Sequence, residues 1–286
     1  MKFSTALKLG RISNLPTVWT NVMVGTALVT SQSKTTTLIL TAVAISLLYT
    51  AGMFLNDAFD REWDRENKNI RPLVTGEAKL QEVLWTSAIL ILAAIIILLS
   101  SIPTDRILLT ASATFMLIAL IMLYNWQHKR WSLSPWIMGA CRFMVYVVAG
   151  SIVGDWNEQL LLGSLCLMTY IAGVTYLAQS EHKNALLTYW PVVLLLMPVA
   201  FLLYIGINTV VHMVSLLLVL AWLAWSISKF RSGANRRVPQ GVSSLLAGIA
   251  LVDATILSFL NQIILATAAI TGFLLCLMIQ RKVSAT

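Results

Sequence analysis

Residues 37–72 read TLILTAVAISLLYTAGMFLNDAFDREWDRENKNIRP. The first part, 37–56, contains no charged side chain, and a helix of about 20 residues spans the roughly 30 Å hydrocarbon layer of a bilayer. An amide and three carboxylates follow: Asn56, Asp57, Asp60 and Asp64. Because charges at membrane depth are costly, an apolar helix that runs into carboxylates indicates a membrane protein with a polar site at one membrane surface.

The rest of the chain repeats the apolar part of this pattern. Of 286 residues, 58% are hydrophobic and 11% are charged, whereas about a quarter are charged in soluble domains. Stretches of roughly 17–21 residues with almost no charge occupy 15–31, 37–56, 83–101, 107–124, 134–153, 159–178, 188–206, 208–228, 243–260 and 263–280. Because spanning segments must satisfy their own backbone hydrogen bonds, these stretches predict helices. Only Asn261 and Gln262 separate the last two stretches, so the number of transmembrane helices is predicted to be nine or ten. We predict that they form one all-α bundle, a single domain over 1–286.

The net charge of +8 is distributed in a way that indicates membrane orientation, not nucleic-acid binding. With the N-terminus inside, all Lys and Arg residues except Lys34, Arg106 and Arg142 fall in inner segments, and such an excess favours the cytoplasmic side. The long charged loops, 57–82 and 229–242, lie on the same side. We therefore predict a multi-pass protein of the cell inner membrane, whose helices surround a central cavity that opens to the cytoplasmic side.

The acidic motif has a pattern typical of a metal and phosphate site. At about 100° per residue its four polar positions lie at about 0°, 100°, 40° and 80° around a continued helix, on one face. Clustered carboxylates repel one another unless a cation lies between them, and Mg²⁺ commonly links one or two carboxylates to substrate phosphates. Lys68 and Arg71 are expected to neutralise further phosphate charge, and Pro72 to end any helix. The alternative is a solvated helix end, with Arg61 and Arg65 paired to neighbouring carboxylates.

Three segments resemble the UbiA superfamily of intramembrane prenyltransferases. Asn-Asp-x-x-Asp-x-x-x-Asp after an apolar helix, followed by Arg-Pro-Leu-x-x-Gly, is similar to the first aspartate-rich motif of that family. Arg11-Ile-Ser-Asn14-Leu-Pro16 is similar to its opening Arg-x-x-x-x-Pro. Tyr124-Asn-Trp-Gln-His-Lys129-Arg130 resembles its Tyr-x-x-x-Lys-Arg patch, with one extra residue before the lysine. The likeness covers the whole chain in helix number and loop placement.

The resemblance implies Mg²⁺-dependent transfer of an isoprenyl group from an isoprenyl diphosphate to a small aromatic or lipid-like acceptor, with release of pyrophosphate. It implies that the metal is held by Asn56, Asp57, Asp60 and Asp64. It also implies that the diphosphate contacts Asn56, Lys68, Arg71, Lys129 and Arg130. Tyr124 is expected to orient or shield the reacting carbon, and an apolar cavity to protect an allylic cation from water.

The second aspartate motif of the family is incomplete in this chain. The corresponding residues, 170–183, read YIAGVTYLAQSEHK and contain one carboxylate, Glu181. This segment is similar to that of the divergent EboC-like branch. It implies that Glu181 reaches a metal ion and that His182 acts as a base toward the acceptor; interfacial loop positions are the alternative. The other polar residues expected at the cavity are Arg11, Asn14, Arg142, Tyr176 and Asp253.

Two charges, Arg142 and Asp253, fall within apolar stretches, where a charge usually faces a cavity or a partner. One expectation is that they pair with each other. The other is that Arg142 contributes to the polar part of the cavity, while Asp253 orients an acceptor or a lysine. Such charges also suit a transporter of lipidic or diphosphate-bearing precursors, or a non-catalytic partner that binds a prenyl lipid. No interrupted helix of the transporter kind is visible in the sequence. His128 and His212 are expected to be interfacial or packing residues.

Overall fold

The computed structural model of the protein describes residues 1–67, 71–179, 190–230 and 237–283, and its regular elements there are helices. They are α1 (Phe3–Leu9), α2 (Leu15–Ala27), α3 (Thr35–Glu66), α4 (Pro72–Thr75), α5 (Leu80–Ser101), α6 (Ile107–Gln127), α7 (Ser134–Val153), α8 (Glu158–Gln179), α9 (Trp190–Leu195), α10 (Met197–Ile205), α11 (Val210–Ser228), α12 (Val238–Phe259) and α13 (Ile263–Gln280). In these ranges 8 helices are long and apolar enough to cross a membrane. The predicted polytopic all-α bundle is confirmed.

Two of the predicted spans form shorter helices than expected. Stretch 15–31 becomes α2, which has 13 residues and packs against α3, α7, α12 and α13. Stretch 188–206 corresponds to α9 and α10, which are interrupted at Leu196. Pro198 has no N–H to donate to the preceding turn, so the ladder of helical hydrogen bonds is broken there. The chain therefore does contain an interrupted helix, which differs from the prediction.

The helices α2 and α7 join two halves of the core. One half packs α2 and α7 against α3, α5 and α6, and the other packs them against α8, α11, α12 and α13. A Cβ atom added at Gly25 would lie 2.6 Å from the backbone oxygen of Tyr146, so the absence of a side chain lets α2 approach α7 closely. This close approach places polar side chains of α2 next to those of α7 inside an apolar core.

The helix α3 continues beyond its apolar part to Glu66, so the acidic motif is helical, as predicted. Pro72 does not end this helix; it begins the one-turn helix α4, where its missing N–H would have no helical partner in any case. Leu73 of α4 is buried in a small cluster with Leu9 and Phe54. That cluster holds the start of α4, and Arg71 just before it, against the end of the bundle that carries the acidic motif.

Candidate functional site

The polar residues of the acidic motif occupy one buried face of α3. The exposed fraction is 6% for Asn56, 4% for Asp57, 8% for Asp60 and 4% for Asp64, whereas Glu62 on the opposite face is exposed. Buried carboxylates are stable only when cations or hydrogen-bond donors accompany them. The partners of this face come from two distant parts of the chain, the segment after α1 and the end of α6.

Arg11 is the partner that precedes α2. Its Nη2 atom donates a hydrogen bond to Asn56 Oδ1 at 3.3 Å and lies 3.7 Å from Asp57 Oδ1. Its Nε atom is buried and has no hydrogen-bond partner among the described residues. Its backbone φ is 42°, in the left-handed region that non-glycine residues seldom adopt. A buried guanidinium that retains an unused donor, on a residue whose backbone adopts this uncommon conformation, is suited to binding a further anion.

Asn125 on α6 fixes the orientation of Asn56. Asn56 Nδ2 donates to Asn125 Oδ1 at 3.2 Å, and Asn125 Nδ2 donates to the carbonyl oxygen of Gly52 at 3.1 Å. Both amides are buried, so these hydrogen bonds satisfy groups that have lost water. Asn125 is not among the residues predicted from the sequence, because a single asparagine beside Tyr124 has no spacing that marks it.

His128 is a second site residue that the sequence does not reveal. The sequence predicts an interfacial or packing residue at this position, but the Nε2 atom of His128 lies 3.1 Å from Asp60 Oδ2 and its ring stacks on Tyr124 with centroids 4.9 Å apart. Lys129 Nζ lies 3.6 Å from the same Asp60 oxygen and 3.7 Å from the centre of the Trp63 ring. The end of α6 therefore supplies an imidazole and an ammonium group to the carboxylate face.

The oxygen ligands on this face fit Mg²⁺ in combination with the phosphates of a ligand. Among the described residues, no three His, Cys, Asp or Glu side chains are arranged to hold a metal ion by themselves. Asp57 and Asp60 are accompanied by the basic residues Arg11, His128 and Lys129. Mg²⁺ usually takes only one or two protein carboxylates and completes its coordination with phosphate oxygens and water. The carboxylates of Asp57 and Asp60 are ligands of the type that such a shared site uses.

A cavity of about 320 Å³ inside the bundle adjoins the acidic face. Arg11 and Asn125, which form hydrogen bonds with Asn56, line this cavity, whereas the four polar residues of the face do not. The polar end of the cavity is lined by Arg11, Arg71, Tyr124 and Asn125. Most of the remaining wall consists of aliphatic side chains from α2, α3, α6, α7, α8 and α12. An apolar cavity with a few polar groups at defined positions is typical of a site for a small molecule.

A second polar cluster lies deeper in the bundle. Arg142 lines the cavity and its Nη1 atom donates to Asn21 Oδ1 at 2.7 Å, while Asn21 Nδ2 donates to Asp253 Oδ2 at 2.8 Å. Thr20 and Tyr146 donate the other hydrogen bonds to this carboxylate, each at 2.5 Å. Arg142 and Asp253 are thus connected through Asn21 and form no direct ion pair. Asp253 is fully buried and is not among the residues that line the cavity.

The remaining predicted residues take different positions. Asn14 is buried and lines the cavity. Tyr176 packs against Trp190 with ring centroids 4.6 Å apart, and Thr175 lines the cavity instead, because adjacent residues are about 100° apart around a helix. Arg130 is exposed and makes no ion pair within the described part of the chain. Three predicted residues lie outside the described ranges: Lys68, Glu181 and His182.

Two sequence relatives carry the name protoheme IX farnesyltransferase 2. The protein from Bacillus subtilis (strain 168) is 23% identical over 257 residues, which cover 80% of this chain and 82% of the relative. The protein from Bacillus velezensis is 25% identical over 157 residues, which cover 53% of this chain and 47% of the relative. The likeness to the first of them thus extends over most of both chains.

Solved structures of UbiA homologues have the same arrangement of helices. A homologue from Archaeoglobus fulgidus bound to DMAPP and Mg²⁺ matches with a TM-score of 0.62 and 15% identity, over 91% of this chain and 99% of the other. The homologue from Aeropyrum pernix K1 matches with a TM-score of 0.53 and 17% identity, over 95% and 98%. At sequence identities of 15% and 17%, the structural similarity to these homologues establishes the fold alone. The sequence pattern of the UbiA prenyltransferase family matches residues 15–240, which is most of the chain. This chain therefore belongs to the UbiA prenyltransferase family.

Proposed function

We propose that this protein moves an isoprenyl group from an isoprenyl diphosphate to an acceptor and releases pyrophosphate, with Mg²⁺ as its metal. The observation that carries this proposal is the buried carboxylate face of α3 beside an apolar cavity. Family membership supports the reaction class. The Bacillus subtilis relative is named a farnesyltransferase, and the Archaeoglobus fulgidus homologue is bound to DMAPP and Mg²⁺.

The diphosphate is expected to lie at the polar end of the cavity. Mg²⁺, when bound, would offset the charge that develops on the departing pyrophosphate. The residues that would hold the metal, directly or through water, are Asn56, Asp57, Asp60 and Asp64. The residues that would bind phosphate oxygens are Arg11, Arg71 and Lys129, together with Asn56, Lys68 and Arg130. Charge-assisted hydrogen bonds from such groups are about twice as strong as neutral ones, so they hold the leaving group firmly.

The apolar wall of the cavity determines what happens to the isoprenyl group. When the bond to the diphosphate oxygen breaks, an allylic cation remains that water would otherwise capture. The aliphatic wall excludes water from this cation and provides space for the hydrocarbon tail between the helices. Tyr124 lines the polar end of the cavity. Its ring would shield the cation until the acceptor attacks.

Replacing Arg11 by Met is expected to weaken the binding of geranyl diphosphate in the presence of Mg²⁺ by about 10- to 100-fold. Arg11 is buried beside Asn56 and Asp57, so the loss of its guanidinium removes a desolvated cation from the phosphate end. Lys8→Met is the matched control. The Lys8 side chain is 63% exposed, and its ion pair with Glu77 is long, at 4.0 Å, and lies at the surface. Equal affinities of the two variants in a binding titration would contradict this position for the diphosphate.

The acceptor is proposed to be a small aromatic or lipid-like molecule. The cavity size supports a small acceptor. The incomplete second aspartate motif supports a place in the EboC-like branch, in which Glu181 would assist the metal and His182 would act as a base. The uneven distribution of Lys and Arg supports an inner-membrane location with the polar end of the cavity on the cytoplasmic side.

A carrier function has weaker support. Arg142 and Asp253 would suit transport, but hydrogen bonds through Asn21 hold them in the core. The interruption at Leu196 resembles the broken helices of transporters, which normally line the substrate site. In the described part of the chain, however, no residue of α9 or α10 lines the cavity.

Pyrophosphate release separates an enzyme from a carrier or a lipid-binding partner. The purified protein in lipid nanodiscs is incubated with allylic diphosphates of different chain length and a panel of acceptors, with and without Mg²⁺. The panel includes aromatic acids, quinone precursors and protoheme IX. Release that needs both metal and acceptor would support prenyl transfer. Mg²⁺-dependent binding of diphosphate without release, although a competent acceptor is present, would contradict it.

A further inference from the structure

The last part of the chain carries basic side chains that its acidic side chains do not balance. From Gly206 to Thr286 the single acidic side chain is that of Asp253, which is fully buried in the deeper polar cluster. The basic residues of this stretch are Lys229, Arg231, Arg236, Arg237, Arg281 and Lys282. The structure describes all of them except Arg231 and Arg236, and those it describes form no ion pair within the described part of the chain.

This basic surface lies at the same end of the bundle as the acidic motif. Near the end of α13, Cys276 Sγ donates to the carbonyl oxygen of Ser13 at 3.1 Å. Ser13 is two residues from Arg11, the basic partner of the acidic motif. Neither Lys229 nor Arg237 is among the residues that line the cavity. The basic surface thus faces the same membrane boundary as the acidic motif but lies outside the cavity.

Lys229, directly after α11, is held in a defined position on this surface. Its Nζ atom donates to Ser244 Oγ on α12 at 2.6 Å and lies 3.3 Å from the centre of the Trp225 ring. The next residue, Phe230, is fully buried against Gly241, where an added Cβ atom would collide with the phenyl ring. These contacts fix the ammonium group, whereas a lysine that serves only to set membrane orientation needs no fixed partners.

Arg237 is brought next to Lys229 by the backbone. Its N–H donates to the carbonyl oxygen of Lys229 at 2.9 Å. Partial burial and, secondly, the charge of Arg237 lower the pKa of Lys229, because both disfavour its charged form. An anion that contacts both side chains would remove this repulsion. Lys229 is half-buried and Arg237 is exposed, so such an anion can approach from the membrane surface.

The side chains next to these two cations suit a phospholipid. The helices α11 and α12 are apolar enough to cross a membrane, and Lys229 and Arg237 stand at their ends, at the level of the lipid phosphates. Trp225 is exposed on the membrane side and lies 4.8 Å from the Trp222 ring, which in turn meets Phe273 of α13 edge-on at 4.8 Å. A free phosphate would use the cations alone, whereas a phospholipid also covers this aromatic surface.

We infer that Lys229 and Arg237 bind the phosphate of an anionic phospholipid, whose glycerol and acyl chains lie against Trp225, Trp222 and Phe273. Basic groups between the ends of transmembrane helices are typical binding sites for anionic headgroups. A zwitterionic headgroup contains the same phosphate, but its own ammonium group offsets the charge, so the site prefers the anionic lipid. The inference goes beyond prenyl transfer, since this lipid is a bound partner of α11, α12 and α13 and not a substrate.

The test is the preference of the full chain for an anionic lipid over a zwitterionic lipid with the same acyl chains. The protein in detergent is titrated with dioleoylphosphatidylglycerol or dioleoylphosphatidylcholine, and bound lipid is counted by native mass spectrometry. We expect the native protein to bind phosphatidylglycerol at least about 10-fold more tightly, since each basic group contributes about 5-fold. Lys229→Met should lower the preference about 5-fold. Lys8→Met, the control for overall charge, should keep it, because Lys8 is a largely exposed lysine at the same end of the bundle.

Arg237→Met is the second variant, and because Arg237 is exposed, it decides the question even if Lys229→Met does not fold. It too should lower the preference about 5-fold. If the native protein shows no preference, or if Lys8→Met loses as much of it as Lys229→Met, only overall charge is at work and the inference is wrong. Displacement of phosphatidylglycerol by inorganic phosphate would indicate a site for a free anion and would also overturn it. Geranyl diphosphate affinity should stay native in both variants; a parallel loss would assign these cations to the diphosphate instead.

Discussion

Replacing Asp57 and Asp60 together by Asn is expected to lower Mg²⁺-dependent pyrophosphate release by at least about 10³-fold. Asparagine preserves the size of the side chain but removes the negative charge that holds a divalent cation beside a diphosphate. The basic partners Arg11 and Lys129 remain, so diphosphate binding without Mg²⁺ should be retained. Initial rates of release and metal-free binding, measured on the same preparation, distinguish loss of catalysis from loss of structure.

Glu62→Gln is the matched control for this double variant. Glu62 lies on the same helix and carries the same charge, but it is exposed on the opposite face. It should therefore retain nearly native rates. If the double variant is as active as Glu62→Gln, the carboxylate face of α3 is not the metal site and the assignment of Asp57 and Asp60 must be abandoned.

Replacing Asp253 by Leu is expected to destabilise the protein by about 3–5 kcal/mol, the usual effect of removing one partner from a buried charge network. Leucine leaves the donors of Thr20, Asn21 and Tyr146 without an acceptor, and it leaves the Arg142 charge without its nearest balance. The measurement is the unfolding temperature in detergent. The double variant with Arg142→Leu should recover part of the loss, because both charges are then removed.

Asp155→Leu provides the comparison for a carboxylate at the surface. Asp155 forms an ion pair with Arg106 at 3.1 Å, but its side chain is 89% exposed. Water and salt screen such a pair, so its removal should leave the unfolding temperature nearly unchanged. If Asp253→Leu unfolds at the same temperature as this control, the deep polar cluster does not stabilise the contact of α2 with α7 and α12.

The fold and one half of the site could be predicted from patterns of neighbouring residues in the sequence. Hydropathy and loop charge predicted the all-helical membrane bundle, and the spacing of Asn56, Asp57, Asp60 and Asp64 placed them on one face of α3. Both inferences depend only on neighbouring residues and on the regular 3.6-residue helical turn. The short length of α2 and the interruption at Leu196 were missed, because an apolar run has the same appearance whether a helix crosses lipid or packs inside protein.

The other half of the site depends on contacts between distant residues. Asn125 meets Asn56 across 69 positions and Asn21 meets Asp253 across 232, so no local pattern indicates either pair. By its sequence position His128 has the appearance of an interfacial or packing residue, and only the packing of the end of α6 beside α3 brings it to Asp60. Arg142 and Asp253 stand out in the sequence as charges within apolar stretches, but their connection through Asn21 depends on the close packing of α2 and α7 at Gly25. Local hydropathy and helical spacing therefore settle which residues are polar and buried, whereas the packing of helices settles which of them meet.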